Sequence, residues 1–181
     1  MKKSKEKEIR FNSQIPEYAF LSAFYPGPFI APLGKAFVLF PNREAYYQAH
    51  KTKDKVFRAK IVNQMDPRRS KYFGSAKSGC PIVEGFDPKR ADIMREAIRY
   101  QMTQQPLLRR MLNLTNKAKL IEEAPWDDYF GTGRDGKGKN FHGKLLMEFR
   151  DKFTDSDLGP YLIDYPKVEL KTYPYIQPTR D

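Results

Sequence analysis

Four side chains capable of chemistry recur at helical spacing: Glu44, Tyr47, Gln48 and Lys51. A helix brings offsets of three, four and seven onto one face, so a carboxylate, a phenol, an amide and an ammonium meet whatever that face contacts. Such a set suits proton transfer and anion binding. The same spacing also describes an ordinary solvated stripe.

A second constellation runs from Pro125-Trp126-Asp127-Asp128-Tyr129-Phe130 into Gly131, Gly133, Gly136, Gly138, Asn140 and Gly143. Five of the chain's 11 glycines fall within 131–143. A loop this rich in glycine lets backbone N–H groups approach a ligand closely, and it leads into a helix N-terminus, where the dipole favours an anion. Its spacing matches neither a Walker loop nor a dinucleotide fingerprint. A mobile surface loop has the same composition, but the acidic and aromatic residues just upstream favour a site.

The elements that must position these groups read as mainly helical. Asn42 is a cap for a helix running to about Thr52, and Asp54 caps a second one carrying Val56, Phe57 and Ile61. Asp87-Pro88 opens a helix on which Ile93, Met94, Ala97, Ile98 and Met102 recur with helical period. Pro106 starts another, and a last one follows Gly143 with Leu145, Leu146, Phe149 and Phe153. Residues 11–41 read as a small sheet, because apolar runs there are broken by Pro26, Gly27, Pro28 and Pro32. The expected fold is α+β, predominantly α-helical: a compact domain over 17–158, a basic N-terminal extension over 1–16, and a Pro/Tyr-rich strap over 159–181.

Charge adds a partner class. The 181 residues hold 33 Lys or Arg against 22 Asp or Glu, a net charge of +11. Residues 51–77 concentrate it, with nine cations against Asp54 and Asp66. That stretch suits an anionic partner, although lysine-rich surfaces also serve solubility alone. No run approaches the roughly 20 apolar residues of a membrane span, and the N-terminus lacks a signal-like apolar segment. Cys80 is the only cysteine, which excludes an intrachain disulfide and a Cys-based zinc site and fits a reducing, cytoplasmic setting. His50 and His142 have no partner at metal-ligand spacing.

Taken in order, Phe20-Leu21-Ser22-Ala23-Phe24-Tyr25-Pro26, Glu44 to Ala49 with Lys51, Leu120-Ile121-Glu122, Pro125 to Gly133, and Asn140 with Gly143 to Met147 and Arg150 resemble the NADAR (YbiA-like) family. The resemblance covers roughly residues 17–153. It implies hydrolysis of an N-glycosidic bond joining a phosphorylated ribose to an amine or base, on a mainly helical α+β domain without metal or redox cofactor. Two substrate classes come with it: phosphoribosylamino-pyrimidine intermediates of riboflavin synthesis, and ADP-ribose on guanine in nucleic acid. The chain departs from the family pattern at Ala23, Ala45, Gly74-Ser75 and Phe130, and keeps Glu44, Lys51, Asp127, Asn140 and Arg150.

Breaking such a bond builds positive charge on the anomeric carbon, which calls for a carboxylate and for an acid that protonates the departing nitrogen. With the resemblance, Glu44 and Asp127 are the expected catalytic pair. Lys51, Arg150 and the amides of Gly131 and Gly133 are expected to hold phosphate, Phe24, Tyr47 and Phe130 to stack on the base, and Gln48 and Asn140 to complete the binding set. The basic 51–77 stretch tilts the expectation toward ADP-ribosylated nucleic acid over a free metabolite. A non-catalytic ADP-ribose or nucleic-acid binding module is the alternative from another class.

Overall fold

The computed structural model describes residues 7–162. It is an α+β fold in which helices dominate and two two-stranded sheets share their core.

Strand β1 (Glu8–Phe11) turns Glu8 and Arg10 outward and buries Ile9 and Phe11, the period of two expected of a half-covered strand. It runs parallel to β4 (Lys119–Glu122), with Glu8 opposite Lys119 and Phe11 opposite Glu122. The reading of 1–16 as an extension is therefore corrected over residues 8–11. Their partner strand lies far along the chain, which local sequence does not signal. Strands β2 (Phe29–Leu33) and β3 (Ala36–Phe40) form a hairpin around Gly34-Lys35, and Gly34 takes the positive φ of +70° that so tight a turn requires.

Helix α1 (Arg43–Ala49) is buried along its whole length. Asn42 caps it, with Oδ1 accepting from Ala45 N–H at 2.9 Å. Around it pack α2 (Lys55–Val62), α3 (Pro67–Phe73) and α4 (Phe86–Gln104). Asp54 caps α2, and Asp66 followed by Pro67 starts α3. Helix α4 sends Met94, Ala97, Ile98 and Met102 into the core as their period predicts, beginning one residue ahead of Asp87-Pro88. Its Gln104 side chain both donates to Ile30 O and accepts from Ile30 N–H, so helix side chains occupy backbone groups of β2 that have no strand beside them.

Helix α5 (Pro106–Asn113) follows, and α6 (Phe141–Lys152) packs against β4 and α4 through Leu145, Leu146 and Phe149. Of the strap expected over 159–181, only the short turn Gly159–Tyr161 and Leu162 fall within the described residues. No helix among those residues is long and apolar enough to cross a membrane.

Candidate active site

The site is organised from the first turn of α1. Arg43 is wholly buried, and its Nη2 donates to the carbonyls of Phe20, Leu21 and Ser22 at 3.5, 2.9 and 2.8 Å. Burial pulls the guanidinium down to about 10, against an upward pull from Glu122. Glu44 N–H donates to Ala23 O at 3.1 Å. One short helix thus fixes the 20–24 segment as a wall.

That wall, the end of β4, the loop over 122–130 and helix α3 enclose a cavity of about 200 Å³. Glu44 enters it with its side chain almost out of water, and its Oε1 accepts from Gln48 Nε2 at 2.7 Å. Burial raises the Glu44 carboxyl above the usual carboxylate range. Lys71, the Gln48 hydrogen bond and Lys51 oppose that rise, while the Glu122 charge adds to it. Glu44, Tyr47 and Gln48 are all buried, so the stripe read in the sequence is not a solvated one.

Asp127 lines the same cavity. Its Oδ1 accepts from the N–H groups of Tyr129 and Phe130 at 2.9 and 2.8 Å, which fixes the turn carrying Phe130. Phe24 and Phe130 supply aromatic wall. Tyr47 stands behind Phe130, edge to face at 5.4 Å, and burial holds its phenol well above its usual range. The Lys51 ammonium sits 5.0 Å from the Tyr47 ring centre and 5.7 Å from that of Phe86. It supports the aromatic layer and does not line the cavity.

Four expected ligand groups serve the scaffold instead. Gly131 N–H donates to Asp127 O, and Gly133 N–H to Ala124 O and Asp127 O, so neither amide is free for phosphate. A Cβ on Gly131 would sit 2.5 Å from Ala124 Cβ, which explains the glycine by close packing. Arg150 points away from the cavity and donates to Thr115 Oγ1, Ala118 O and Asp151. Asn140 adopts a left-handed φ of 50°, donates to Leu120 O and accepts from Glu122 N–H, clamping β4 to the start of α6. Asn140→Ala removes both bonds and puts a Cβ residue without asparagine's tolerance into that conformation. It is expected to cost about 2–4 kcal/mol in denaturant unfolding, with the cost falling on stability before ligand affinity.

The cavity also holds groups that the sequence reading did not select. Glu122 ends β4, His142 opens α6, Arg68 and Lys71 reach in from α3, and Trp126 stands at the rim, 73% exposed. Arg68 and Lys71 lie three apart just after Asp66-Pro67, a helix-start signal of the same kind as Asp87-Pro88. Acid groups on α1 and β4 therefore face cations on α3. Among the described residues, no group of three or more His, Cys, Asp or Glu is arranged to hold a metal ion.

The chain has known relatives. A model of the NADAR domain matches residues 10–154. The N-glycosidase YbiA of Escherichia coli is 35% identical over 144 residues, spanning 80% of this chain and 87% of that protein. A riboflavin biosynthesis protein of Vibrio vulnificus is 27% identical over 156 residues, 86% of this chain and 41% of its own length. The chloroplastic riboflavin biosynthesis protein PYRR of Zea mays is 32% identical over 123 residues, 62% of this chain and 19% of that one. The NMR structure of the E. coli protein YbiA superposes with a TM-score of 0.73 at 30% identity, covering 87% of this chain and 90% of that one. With the buried glutamate of α1 facing the acidic end of β4 across one cavity, the chain belongs to the NADAR domain family and is a hydrolase of N-glycosyl bonds.

Proposed function

We propose that the cavity hydrolyses the N-glycosyl bond between a phosphorylated ribose and a base, and that its substrate is ADP-ribose carried on guanine in nucleic acid. The observation that carries this reading is the placement of Arg68 and Lys71 opposite Glu44. These two cations belong to the basic 51–77 stretch, whose exposed Arg69 and Lys77 are available to flanking phosphates.

In this reading the C1′–N bond breaks, its electron pair stays on nitrogen, and the ribose carbon takes up positive charge. Glu44, biased by burial toward its protonated form, gives its proton to the departing nitrogen. Water then supplies hydroxide to C1′, and its remaining proton restores the acid. Asp127 keeps its Oδ1 in the turn and offers its other oxygen to the sugar as a fixed acceptor. Phe24 and Phe130 bracket the base, and Arg68 and Lys71 take the phosphate role expected of Lys51 and Arg150.

Phosphoribosylamino-pyrimidine intermediates of riboflavin synthesis are the second reading, favoured by the names of the maize and Vibrio relatives. Assaying the two substrates side by side separates them, and release of free ADP-ribose excludes a binding module without turnover. On the nucleic-acid reading, the logarithm of affinity for an ADP-ribosylated guanine duplex falls with log salt at a slope of about −0.9 per phosphate contacted, and less steeply on a single strand. Arg69→Gln and Lys77→Gln, on exposed residues outside the cavity, are each expected to reduce that slope by about 1. A flat salt response would point to the small metabolite.

A further inference from the structure

One titratable pair in the cavity has no part in the steps above. His142 is 1% exposed, and its Nδ1 lies 3.1 Å from Glu122 Oε1. Phe11 of β1 meets the imidazole edge-on, with ring centres 5.7 Å apart. Nε2 is buried and has no hydrogen-bond partner among the described residues, although His142 lines the cavity. Buried imidazoles ordinarily satisfy both nitrogens, so one left open in a cavity wall marks a place for a ligand group or a water.

Glu122 is held from the other side by its backbone. Its N–H donates to Asn140 Oδ1 at 2.9 Å, and its carbonyl accepts from Ala124 and Thr132 N–H, both at 3.1 Å. Its carboxylate, by contrast, has His142 as its one side-chain partner among the described residues. Arg43 attracts that charge and Glu44 repels it, so without a fixed donor the carboxylate has reason to turn out of the cavity. A neutral imidazole meets a carboxylate as the Nδ1–H tautomer, which leaves Nε2 as a bare acceptor.

We propose that His142 is a positioning residue for Glu122: its Nδ1–H holds one carboxylate oxygen so that the other accepts a hydrogen bond from the attacking water. This rests on the N-glycosyl hydrolase reading and assigns the role that Glu44 and Asp127 leave open. The Glu122–His142 pair orients the water on one side while Glu44 serves the leaving nitrogen.

The test compares His142→Leu, which keeps bulk without a donor, with His142→Asn, whose amide nitrogen can take the Nδ1 place. On ADP-ribosylated guanine oligonucleotide or phosphoribosylamino-pyrimidine, whichever the wild type turns over, the Leu variant is expected to lose about ten- to hundred-fold in kcat. KM and melting temperature should stay near wild type, and the Asn variant should recover most of kcat. Wild-type kcat in the Leu variant, or equal loss in both variants, would overturn the proposal. Imidazole ¹⁵N–¹H correlation spectra give a readout independent of turnover, with His142 told from His50 by the variant that lacks it. The proposal expects a protonated Nδ1 and a bare Nε2 in the wild type, a preference lost in Glu122→Leu. An Nε2–H tautomer in the wild type would sink the pairing even if the enzyme is active. Turnover of neither substrate with the Nδ1–H tautomer present would sink the hydrolase reading and with it the water-orienting role, while the pairing stands.

Discussion

Glu44→Gln is expected to lower turnover by about a hundred- to ten-thousand-fold, the range a positioned proton donor supplies, while leaving the fold as stable as wild type or more so. The exchange is nearly isosteric, and the glutamine oxygen still accepts from Gln48 Nε2. What it cannot do is give up a proton. The stability follows from the direction of the Glu44 shift, which burial drives upward. Between the unfolded and the raised native value, the native state binds the extra proton, so wild-type stability falls as pH rises through that window. Above the window the buried charge is a standing cost that the amide removes. Melting temperatures should therefore favour the variant at neutral pH and converge below the ordinary glutamate range. Lys71 is the largest influence holding the Glu44 carboxyl down, so Lys71→Met should move the alkaline limb of the rate profile to higher pH. Turnover near wild type in Glu44→Gln would remove Glu44 from the chemistry. A collapsed fold would make it structural.

How much of this was legible in the sequence depended on the range of the signal. Helix α1 with its cap, the Gln48 and Glu44 pairing at four residues, and the apolar period of α4 are all local and stand where the spacing put them, except that α1 ends at Ala49, short of the expected Thr52, and leaves Lys51 in the turn beyond it. Strands β1 and β4 are four residues each and pair across most of the chain, so neither carries enough pattern to announce the other. The candidate site divides in the same way. Glu44, Asp127, Phe24 and Phe130 meet at the cavity, whereas the glycine amides, Asn140 and Arg150 hold the loop and the ends of β4 and α6. In a sequence, a glycine needed for close packing on Ala124 looks like one needed for a ligand. Arg68 and Lys71 were hidden for the opposite reason: within a run of nine cations, composition cannot single out the two that line the cavity.

Arg43→Met is expected to produce the reverse signature, a large loss of stability that carries activity with it. Burial holds the Arg43 guanidinium at about 10, below its usual range, so the fold bears a cost for the charge at every pH below that value and is relieved of it only as pH rises above about 10. By that cost alone an apolar residue would be tolerated, as replacement of buried charges by hydrophobic residues sometimes is. The carbonyls decide the sign. Phe20, Leu21 and Ser22 direct their oxygens at one guanidinium nitrogen in a region closed to water, and methionine leaves all three without that donor. Ser22 O keeps the Tyr25 N–H at 3.1 Å, so two buried acceptors are orphaned at about 1–3 kcal/mol each, and the net loss should exceed about 2 kcal/mol and lower the melting temperature by about 4–8 °C. Because the freed segment is the wall containing Ser22, Ala23 and Phe24, and Glu44 is anchored to it through Ala23 O, ligand affinity should fall together with turnover. Arg43→Lys, which keeps a donor on a shorter reach, should land between the two. Calorimetric unfolding beside ADP-ribose binding distinguishes the outcomes: a stable Met variant with intact binding would mean that the wall holds its shape without Arg43, and that the organising role assigned to the first turn of α1 belongs elsewhere.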